Sequence, residues 1–390
     1  MINYDEVINE KIKAVKPSGI RKFFDIASEM DNVISLSIGE PDFKTPWHIR
    51  EEGINSLRLG NTRYTSNKGL TELREEICGY YKRRFNVYYK GNENCLVTVG
   101  GSEAIDLTMR TLVNIGDQVL IPEPSFVCYK PLTEMADGEP VVVETRAEDK
   151  FKITPELLEK AITPKSKILV LPYPNNPTGG IMERSDLEKI APIIKKHNLF
   201  VLSDEIYAEL TYNGKQHVSI AELEGMKERT VVVSGFSKSY SMTGWRLGYS
   251  LAPKPITDAM TKLHQFGIMS APTTAQYAAI EALKNGDKDI TAMRDEYDMR
   301  RRLVVEKFNE MGLTCFEPEG AFYAFPCIKS TGMTSEDFCM ELLKSKSVAV
   351  VPGNAFGESG EGFVRVSYSF SVKHIMEALK RIEEFLQERK

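Results

Sequence analysis

Seven short apolar runs recur between residues 95 and 252, and small or polar turns and helical stretches separate several of them. Each run is continuously apolar rather than alternating, which is typical of strands buried on both faces of a parallel sheet. The runs are CLVTV (95–99), QVLI (118–121), PVVVE (140–144), KILVL (167–171), LFVLS (199–203), TVVVS (230–234) and GYSLA (248–252). Strands that alternate with helices predict an α/β domain with right-handed crossovers.

The pattern changes after about residue 285. A long charged segment at 287–313 has helical character, and shorter strand candidates follow at 321–328, 348–353 and 362–369. An amphipathic helix is predicted at 372–389. This second region therefore predicts a smaller α+β domain joined to the first by a long helix.

Composition narrows the class of protein. With 390 residues the chain is too long for one hydrophobic core, so two domains are expected. A net charge of -5 argues against a nucleic-acid binder, which normally shows a basic face. No apolar stretch approaches the ~18 residues of a membrane span, and the first residues lack a signal core, which predicts a cytoplasmic protein.

The spacing of cysteine and histidine argues against disulfide bonds and against a metal site. The six cysteines lie far apart without a C-x-x-C pair, so free thiols in a reducing compartment are expected. The five histidines are scattered and form no H-E-x-x-H motif, so no metal site is expected.

Chemically useful residues follow five of the predicted strands. Ligands bind beyond the carboxyl ends of the strands in an open parallel sheet, so these residues are candidates for one site. Each also has an ordinary explanation as a helix cap, a core aromatic, a turn or an exposed lysine. In chain order they are Gly100-Gly101-Ser102, Phe126, Asn175-Asn176, Asp204 with Tyr207, and Lys238 with Arg246. Their convergence on one edge favours a shared site.

Three motifs, in this order and spacing, resemble the class I/II aminotransferases, which are fold type I pyridoxal-phosphate (PLP) enzymes. They are PNNPTGG (174–180), SDEIY (203–207) and SKSYSMTGWRLGY (237–249). The same family is resembled by SLSIGEPDFKTP (35–46), RYTSNKGLTELREEI (63–77) and VRVSYS (364–369). The resemblance extends from about residue 18 to the C-terminus.

The resemblance implies a fold and an assembly. The expected architecture is a large domain, with a mostly parallel seven-stranded sheet between helices, and a smaller α+β domain. Residues 46–285 would form the large PLP-binding domain and 286–390 the small C-terminal domain, to which an N-terminal segment, 1–45, would contribute. A homodimer with shared active sites is also implied.

The resemblance further assigns roles around the cofactor. Lys238 matches the Schiff-base lysine, and Asp204 matches the carboxylate that keeps the pyridine nitrogen protonated. Tyr207 and Asn176 match the pair that bonds the 3′-oxygen of the ring. Phe126 matches the stacking aromatic, where many relatives carry Tyr or Trp.

The cofactor phosphate is expected to bind residues from two separate parts of the chain. Arg246 offers a bidentate guanidinium, while Gly101 and Ser102 lie at a predicted helix N-terminus. Ser237 is a weaker candidate, because many relatives carry the phosphate-binding serine at the position of Gly235. Ser234 or water could also take that role.

Substrate binding is expected at three further positions. Arg365 resembles the arginine that holds the substrate α-carboxylate, assisted by Asn176, and Gly39 would add a backbone N–H. Tyr64 matches a tyrosine that reaches the phosphate of the other subunit. The active site would then be completed only in a dimer.

The implied reaction is transamination by a ping-pong route, with a 2-oxo acid such as 2-oxoglutarate as acceptor. Lys238 would carry the proton, which requires its pKa to fall from ~10.4 to ~7–8 through desolvation and nearby cations. A PLP-dependent C–S lyase of the same fold is the alternative. A nucleotide-binding oxidoreductase is disfavoured, since no G-x-G-x-x-G follows a strand.

Two features of the sequence bear on substrate preference. Some aspartate-specific relatives place a lysine at the position of Ser102, so strict aspartate specificity is disfavoured without being excluded. Phe23 and Phe24, in SGIRKFFD, resemble relatives that act on aromatic amino acids, and a core position for them is equally plausible. Aromatic or broad specificity is expected.

Overall fold

The protein is described by a computed structural model over residues 2–15, 17, 19, 30 and 32–389. Its largest feature is a seven-stranded sheet in which all seven predicted apolar runs form strands. These are β2 (Cys95–Thr98), β3 (Gln118–Glu123), β4 (Glu139–Glu144), β5 (Ser166–Leu171), β6 (Phe200–Asp204), β7 (Thr230–Gly235) and β8 (Gly248–Leu251). The strand order is β2-β8-β7-β6-β5-β3-β4, and only β8 runs antiparallel to its neighbours. The predicted mostly parallel sheet is confirmed.

Burial explains why these runs lack alternation. Every residue of β2, β7 and β8 is buried, and the sheet packs between hydrophobic clusters on both faces. A strand covered on both sides has no solvent face to mark with polar residues.

The described helices cover the sheet and build the rest of the molecule. They are Tyr4–Val7, Glu10–Ala14, Trp47–Arg58, Thr71–Phe85, Gly91–Asn94, Gly101–Leu112, Tyr129–Met135, Pro155–Ala161, Arg184–Lys196, Lys254–Gly267, Thr273–Asn285, Asp287–Glu310, Ser335–Lys346 and Val372–Gln387. Short 3-10 turns lie at Ala147–Asp149, Ile220–Glu222, Lys227–Arg229, Lys329–Thr331, Gly353–Phe356 and Glu358–Gly360. No helix among the residues with described placement is long and apolar enough to cross a membrane.

A second region of sheet lies in the C-terminal part of the chain. There β12 (Val364–Ser367) pairs antiparallel with both β9 (Tyr323–Ala324) and β11 (Val351–Pro352). The N-terminal strand β1 (Ile34–Ser35) pairs with β10 (Val348–Ala349). Strands β9 to β12 fall within the predicted segments, whereas β1 was not predicted. The exact domain bounds, 1–45, 46–285 and 286–390, remain predictions.

Candidate active site

A cavity of about 450 Å³ opens where the parallel strands of the large sheet end. Eleven of the predicted site residues line it together with others from both sheets. They are Gly39, Gly101, Ser102, Phe126, Asn176, Asp204, Tyr207, Ser237, Lys238, Arg246 and Arg365. Because these residues come from distant parts of the chain, the predicted convergence of the strand ends is found in the fold.

Lys238 lies three residues beyond β7 in a largely enclosed position. Its Nζ donates a hydrogen bond to the Gly39 carbonyl oxygen at 2.5 Å. Burial lowers the pKa of Lys238 to about 8; Glu40 opposes that change, and the charges of Arg365 and Arg246 add to it. The structure thus provides the two causes that the sequence predicted, desolvation and neighbouring cations.

Asp204 ends β6 and is buried at the base of the cavity. Its Oδ2 accepts a hydrogen bond from the Tyr129 hydroxyl at 2.7 Å, and its Oδ1 accepts one from the backbone N–H of Ile206 at 3.2 Å. Burial raises the pKa of Asp204 to about 6, although both hydrogen bonds act in the opposite direction. A buried carboxylate to which no cation among the described residues is bonded fits a protonated pyridine nitrogen as its partner.

Phe126 supplies an aromatic wall next to this carboxylate. Its ring contacts that of Tyr129 edge-on, with centroids 6.2 Å apart. Tyr129 is therefore held between the predicted stacking ring and the predicted partner of the pyridine nitrogen.

Tyr207 and Asn176 contact side chains of the C-terminal sheet, Tyr323 and Arg365. The Tyr207 hydroxyl lies 2.7 Å from the hydroxyl of Tyr323. Burial raises the pKa of Tyr207 well above its ordinary value. Asn176 Oδ1 accepts a hydrogen bond from Arg365 Nη1 at 3.0 Å. That bond leaves the Asn176 amide N–H groups as donors for a ring oxygen.

Arg365 comes from β12 and is buried inside the cavity wall. Besides the bond to Asn176, its Nη2 donates to the Ser37 carbonyl oxygen. Its Nε is buried without a hydrogen-bond partner, and burial lowers the pKa of the group. A buried guanidinium that pairs with no carboxylate in the described part of the chain fits the predicted binding of a substrate carboxylate.

The turn between β2 and the helix Gly101–Leu112 forms the opposite end of the cavity. Gly100 has φ +78, a left-handed conformation that glycine adopts without strain, and it directs the helix N-terminus into the cavity. Behind the turn, Glu103 accepts a hydrogen bond from Val99 N–H, and its Oε1 lies 2.6 Å from Nδ1 of the buried His264. The exposed N–H groups and dipole of such a turn suit a phosphate.

Arg246 lies over this turn. Its Nη1 donates to the Thr243 carbonyl oxygen at 3.1 Å, and a Cβ added to Gly100 would lie 2.7 Å from its Nη2. Gly101, Ser102 and Arg246 could therefore hold a phosphate together.

The positions around the lysine differ in whether they line the cavity. Ser237 lines the cavity, whereas the Ser234 hydroxyl donates to the Glu205 carbonyl oxygen at 3.2 Å and stays out of it. A Cβ at Gly235 would lie 3.0 Å from Gly248 Cα, so a serine there would crowd the neighbouring strand. Among the three positions, Ser237 is the one that faces the cavity.

One expected residue does not line the cavity, and two others cannot be placed relative to it. Tyr64 is 81% exposed and does not line it within the single chain. Phe23 and Phe24 fall outside the described residues, so the indication of aromatic specificity that they carried is not tested.

Sequence reasoning missed several lining residues, among them Tyr129, Tyr323, Ile38, Glu40 and Thr243. Tyr129 follows Phe126 by three residues and lies at the start of the helix Tyr129–Met135, a spacing that could have indicated a shared face. Glu40 and Thr243 lay within quoted motifs, and the Thr243 hydroxyl donates to Glu40. Tyr323 gave no signal, since it lies in an apolar strand.

Comparison with known proteins agrees with this geometry. The sequence profile described as "Aminotransferase class I and II" matches residues 31–382. An aspartate aminotransferase of Pyrococcus abyssi is 45% identical, with 98% of this chain and 99% of the relative covered. A Bacillus subtilis protein, whose name contains aminotransferase but no substrate, is 52% identical over 97% of this chain and 98% of its own. A solved aromatic aminotransferase from Pyrococcus horikoshii superimposes with a TM-score of 0.91 at 44% identity, covering 94% of this chain and 99% of that one.

Proposed function

The chain belongs to the class I and II aminotransferases, which are PLP enzymes, and we propose that it transfers the amino group of an aromatic or a broad range of L-amino acids to a 2-oxo acid such as 2-oxoglutarate. The observation that carries this proposal is the distribution of charge in the cavity. Three cations line it, Lys238, Arg246 and Arg365, and each has a role in cofactor or α-carboxylate binding. The transfer proceeds in two half-reactions of a ping-pong mechanism.

The cofactor supplies an electron-accepting ring once it is bound. Asp204 would pair with its ring nitrogen, and Tyr207 and Asn176 would donate to its 3′-oxygen. Lys238 would hold the cofactor and, as a neutral amine, would take the α-proton of the substrate; its ammonium would then be the donor that returns a proton. A pKa of about 8 makes a neutral amine available near neutral pH.

The remaining wall of the cavity supports the proposed substrate range. Ile38, Ile105 and Ile206 are apolar, and Ser102 stands where some aspartate-specific relatives place a lysine. Among the described residues that line the cavity, no further cation is present for a distal carboxylate. The distal carboxylate of 2-oxoglutarate would then meet a cation from elsewhere in the dimer.

A half-reaction experiment tests this proposal. The cofactor-loaded protein is mixed with L-tyrosine, L-phenylalanine, L-aspartate, L-alanine or L-kynurenine, without an oxo acid, and loss of the visible cofactor absorbance is followed. We expect the aromatic substrates to react at least as fast as aspartate, and 2-oxoglutarate to restore the absorbance. Reaction with aspartate alone would overturn the proposed substrate range.

The same preparation separates transamination from elimination. A C–S lyase would release pyruvate and ammonia in repeated turnovers without any oxo acid, together with sulfide from cysteine or homocysteine from cystathionine. We expect at most one equivalent of product per active site under that condition. Continued release would show that elimination is the main activity.

Exposed apolar side chains support a homodimer. They include Leu57, Leu59, Tyr64, Phe266 and Met269, which are between 46% and 87% exposed. Where such side chains group into one patch, they mark an interaction surface. We therefore place a second copy of the chain here, with Tyr64 directed toward the phosphate in the partner's cavity.

A further inference from the structure

Tyr323 belongs to the C-terminal sheet, yet it contacts the large sheet's site. Its strand β9 pairs with β12, the strand that carries Arg365, with Tyr323 opposite Ser367. The side chain is buried and lines the cavity. It is thus fixed by the same sheet that positions the carboxylate-binding arginine.

The ring of Tyr323 supports Arg365. The guanidinium carbon lies 4.6 Å from the Tyr323 ring centroid and 4.8 Å from that of Phe356. A desolvated guanidinium over an aromatic face is stabilised without losing its N–H donors, which stay free for an anion. Tyr323 therefore orients the arginine while leaving its Nε available.

The hydroxyl of Tyr323 serves a different neighbour. It lies 2.7 Å from the hydroxyl of Tyr207, and each phenol has a single proton to donate. When Tyr207 donates its proton to an oxygen in the cavity, Tyr323 must be the donor in the shared bond. A phenol that accepts a hydrogen bond becomes a stronger donor itself.

Gly39 makes this arrangement possible. A Cβ at that position would lie 2.3 Å from the Tyr323 hydroxyl, so any other residue would displace it. The carbonyl oxygen of Gly39 also accepts the hydrogen bond from Lys238. The tyrosine hydroxyl and the lysine amine are therefore packed against the same short segment.

We propose that Tyr323 is a positioning residue with two separable tasks: its ring orients Arg365 for the substrate carboxylate, and its hydroxyl strengthens Tyr207 as a donor to the cofactor's 3′-oxygen. The proposal rests on the proposed function and adds a residue that none of the sequence motifs assigned. It also links the two sheets at the site where substrate and cofactor meet.

Two substitutions separate the two tasks. Tyr323→Phe keeps the ring and removes the hydroxyl, while Tyr323→Leu removes both. The first readout is the pH midpoint at which the visible absorbance of the cofactor-loaded protein titrates without substrate. The second is the Kd of 3-phenylpropionate, an unreactive carboxylate that needs Arg365.

With Tyr323→Phe we expect the pH midpoint of the cofactor absorbance to rise by about half a unit. Tyr207 would then be a weaker donor to the 3′-oxygen, so the deprotonated form of the bound cofactor would be stabilised less. The Kd of 3-phenylpropionate should stay within about twofold, whereas Tyr323→Leu should weaken it about tenfold. Tyr207→Phe serves as the reference and should raise the midpoint further in the same direction.

An unchanged midpoint in Tyr323→Phe, or an unchanged Kd in Tyr323→Leu, overturns the inference. Either result leaves the proposed function intact if the wild-type protein binds PLP and reacts with amino acids. A wild-type protein that fails those two tests overturns the proposed function instead.

Discussion

If Lys238 attaches the cofactor as proposed, its environment sets the pH range in which the protein can accept PLP. Burial lowers the pKa of this amine to about 8, whereas burial raises the pKa of the Asp204 carboxyl to about 6. Between these values the carboxylate is mostly ionised and the amine partly neutral. The neutral fraction of a lysine with an ordinary pKa would be far smaller at pH 7.

This difference gives a pH prediction for the protein without cofactor. A neutral amine is needed for attachment, so the rate should rise about tenfold per pH unit below pH 8 and level off above it. Stopped-flow absorbance with PLP measures that rate. A small alkylamine under the same conditions controls for titration of PLP itself, and a protein rate still rising in parallel with it beyond pH 9 contradicts the prediction.

At the scale of elements, strand β8 closely approaches the turn formed by Gly100 and Gly101. Gly248 begins β8, and a Cβ there would lie 2.5 Å from the Gly100 carbonyl carbon and 2.6 Å from Gly101 N. Both contacts are with backbone, which does not move aside cheaply. The turn and strand β8 must therefore fit as one unit.

Gly248→Ala should consequently displace the turn and weaken PLP retention. We expect a loss of about 1–3 kcal/mol in the free energy of unfolding and an increase of about tenfold in the Kd of PLP. Denaturant titration and fluorescence quenching by PLP measure the two quantities. Gly244→Ala is the matched control, since nothing lies within 4 Å of its Cβ position; equal effects in both variants would refute this explanation.

The elements also show how far a sequence can be interpreted. The buried strands of the large sheet could be predicted because their apolar runs are continuous. The positions of Asp204 and Lys238 at the cavity could be predicted because these residues lie at or shortly after the ends of such runs. Tyr323 could not be predicted in this way. Its function depends on the register of β9 against β12, a contact between distant segments that periodicity does not encode.

The role of Gly235 could not be predicted from the sequence for a related reason. Gly235 looked like a missing phosphate ligand, yet its neighbour across the sheet is Gly248. Only the pairing of two strands reveals that a side chain at 235 would crowd the backbone. Tyr64 is similar, because its proposed partner belongs to a second chain.

At the scale of the whole molecule, the proposed dimer makes each site depend on both chains. Tyr64→Ala should raise the Kd of PLP severalfold, because one phosphate contact is lost. A hybrid dimer of one Tyr64→Ala chain and one Lys238→Ala chain should recover one site with wild-type affinity. That site takes its lysine from the first chain and its tyrosine from the second.

Differently tagged chains, refolded or co-expressed and purified in tandem, provide this hybrid. Half the wild-type activity per dimer, with wild-type PLP affinity, is the expected result. Homodimers of each variant serve as controls. If the hybrid retains the weakened affinity of Tyr64→Ala, Tyr64 acts within its own chain or has no role in the site.

The connection between β7 and β8 has a consequence for how such sites change over time. The chain leaves the sheet at Gly235 and returns at Gly248, and these two residues are paired across the ladder. Between them lie both Lys238 and Arg246, which line the same cavity. Residues 236–247 therefore form a loop whose two ends are fixed by the sheet. Mutations elsewhere in the sheet can accumulate without altering the spacing of the two cations. The loop could also be exchanged between relatives as a single segment.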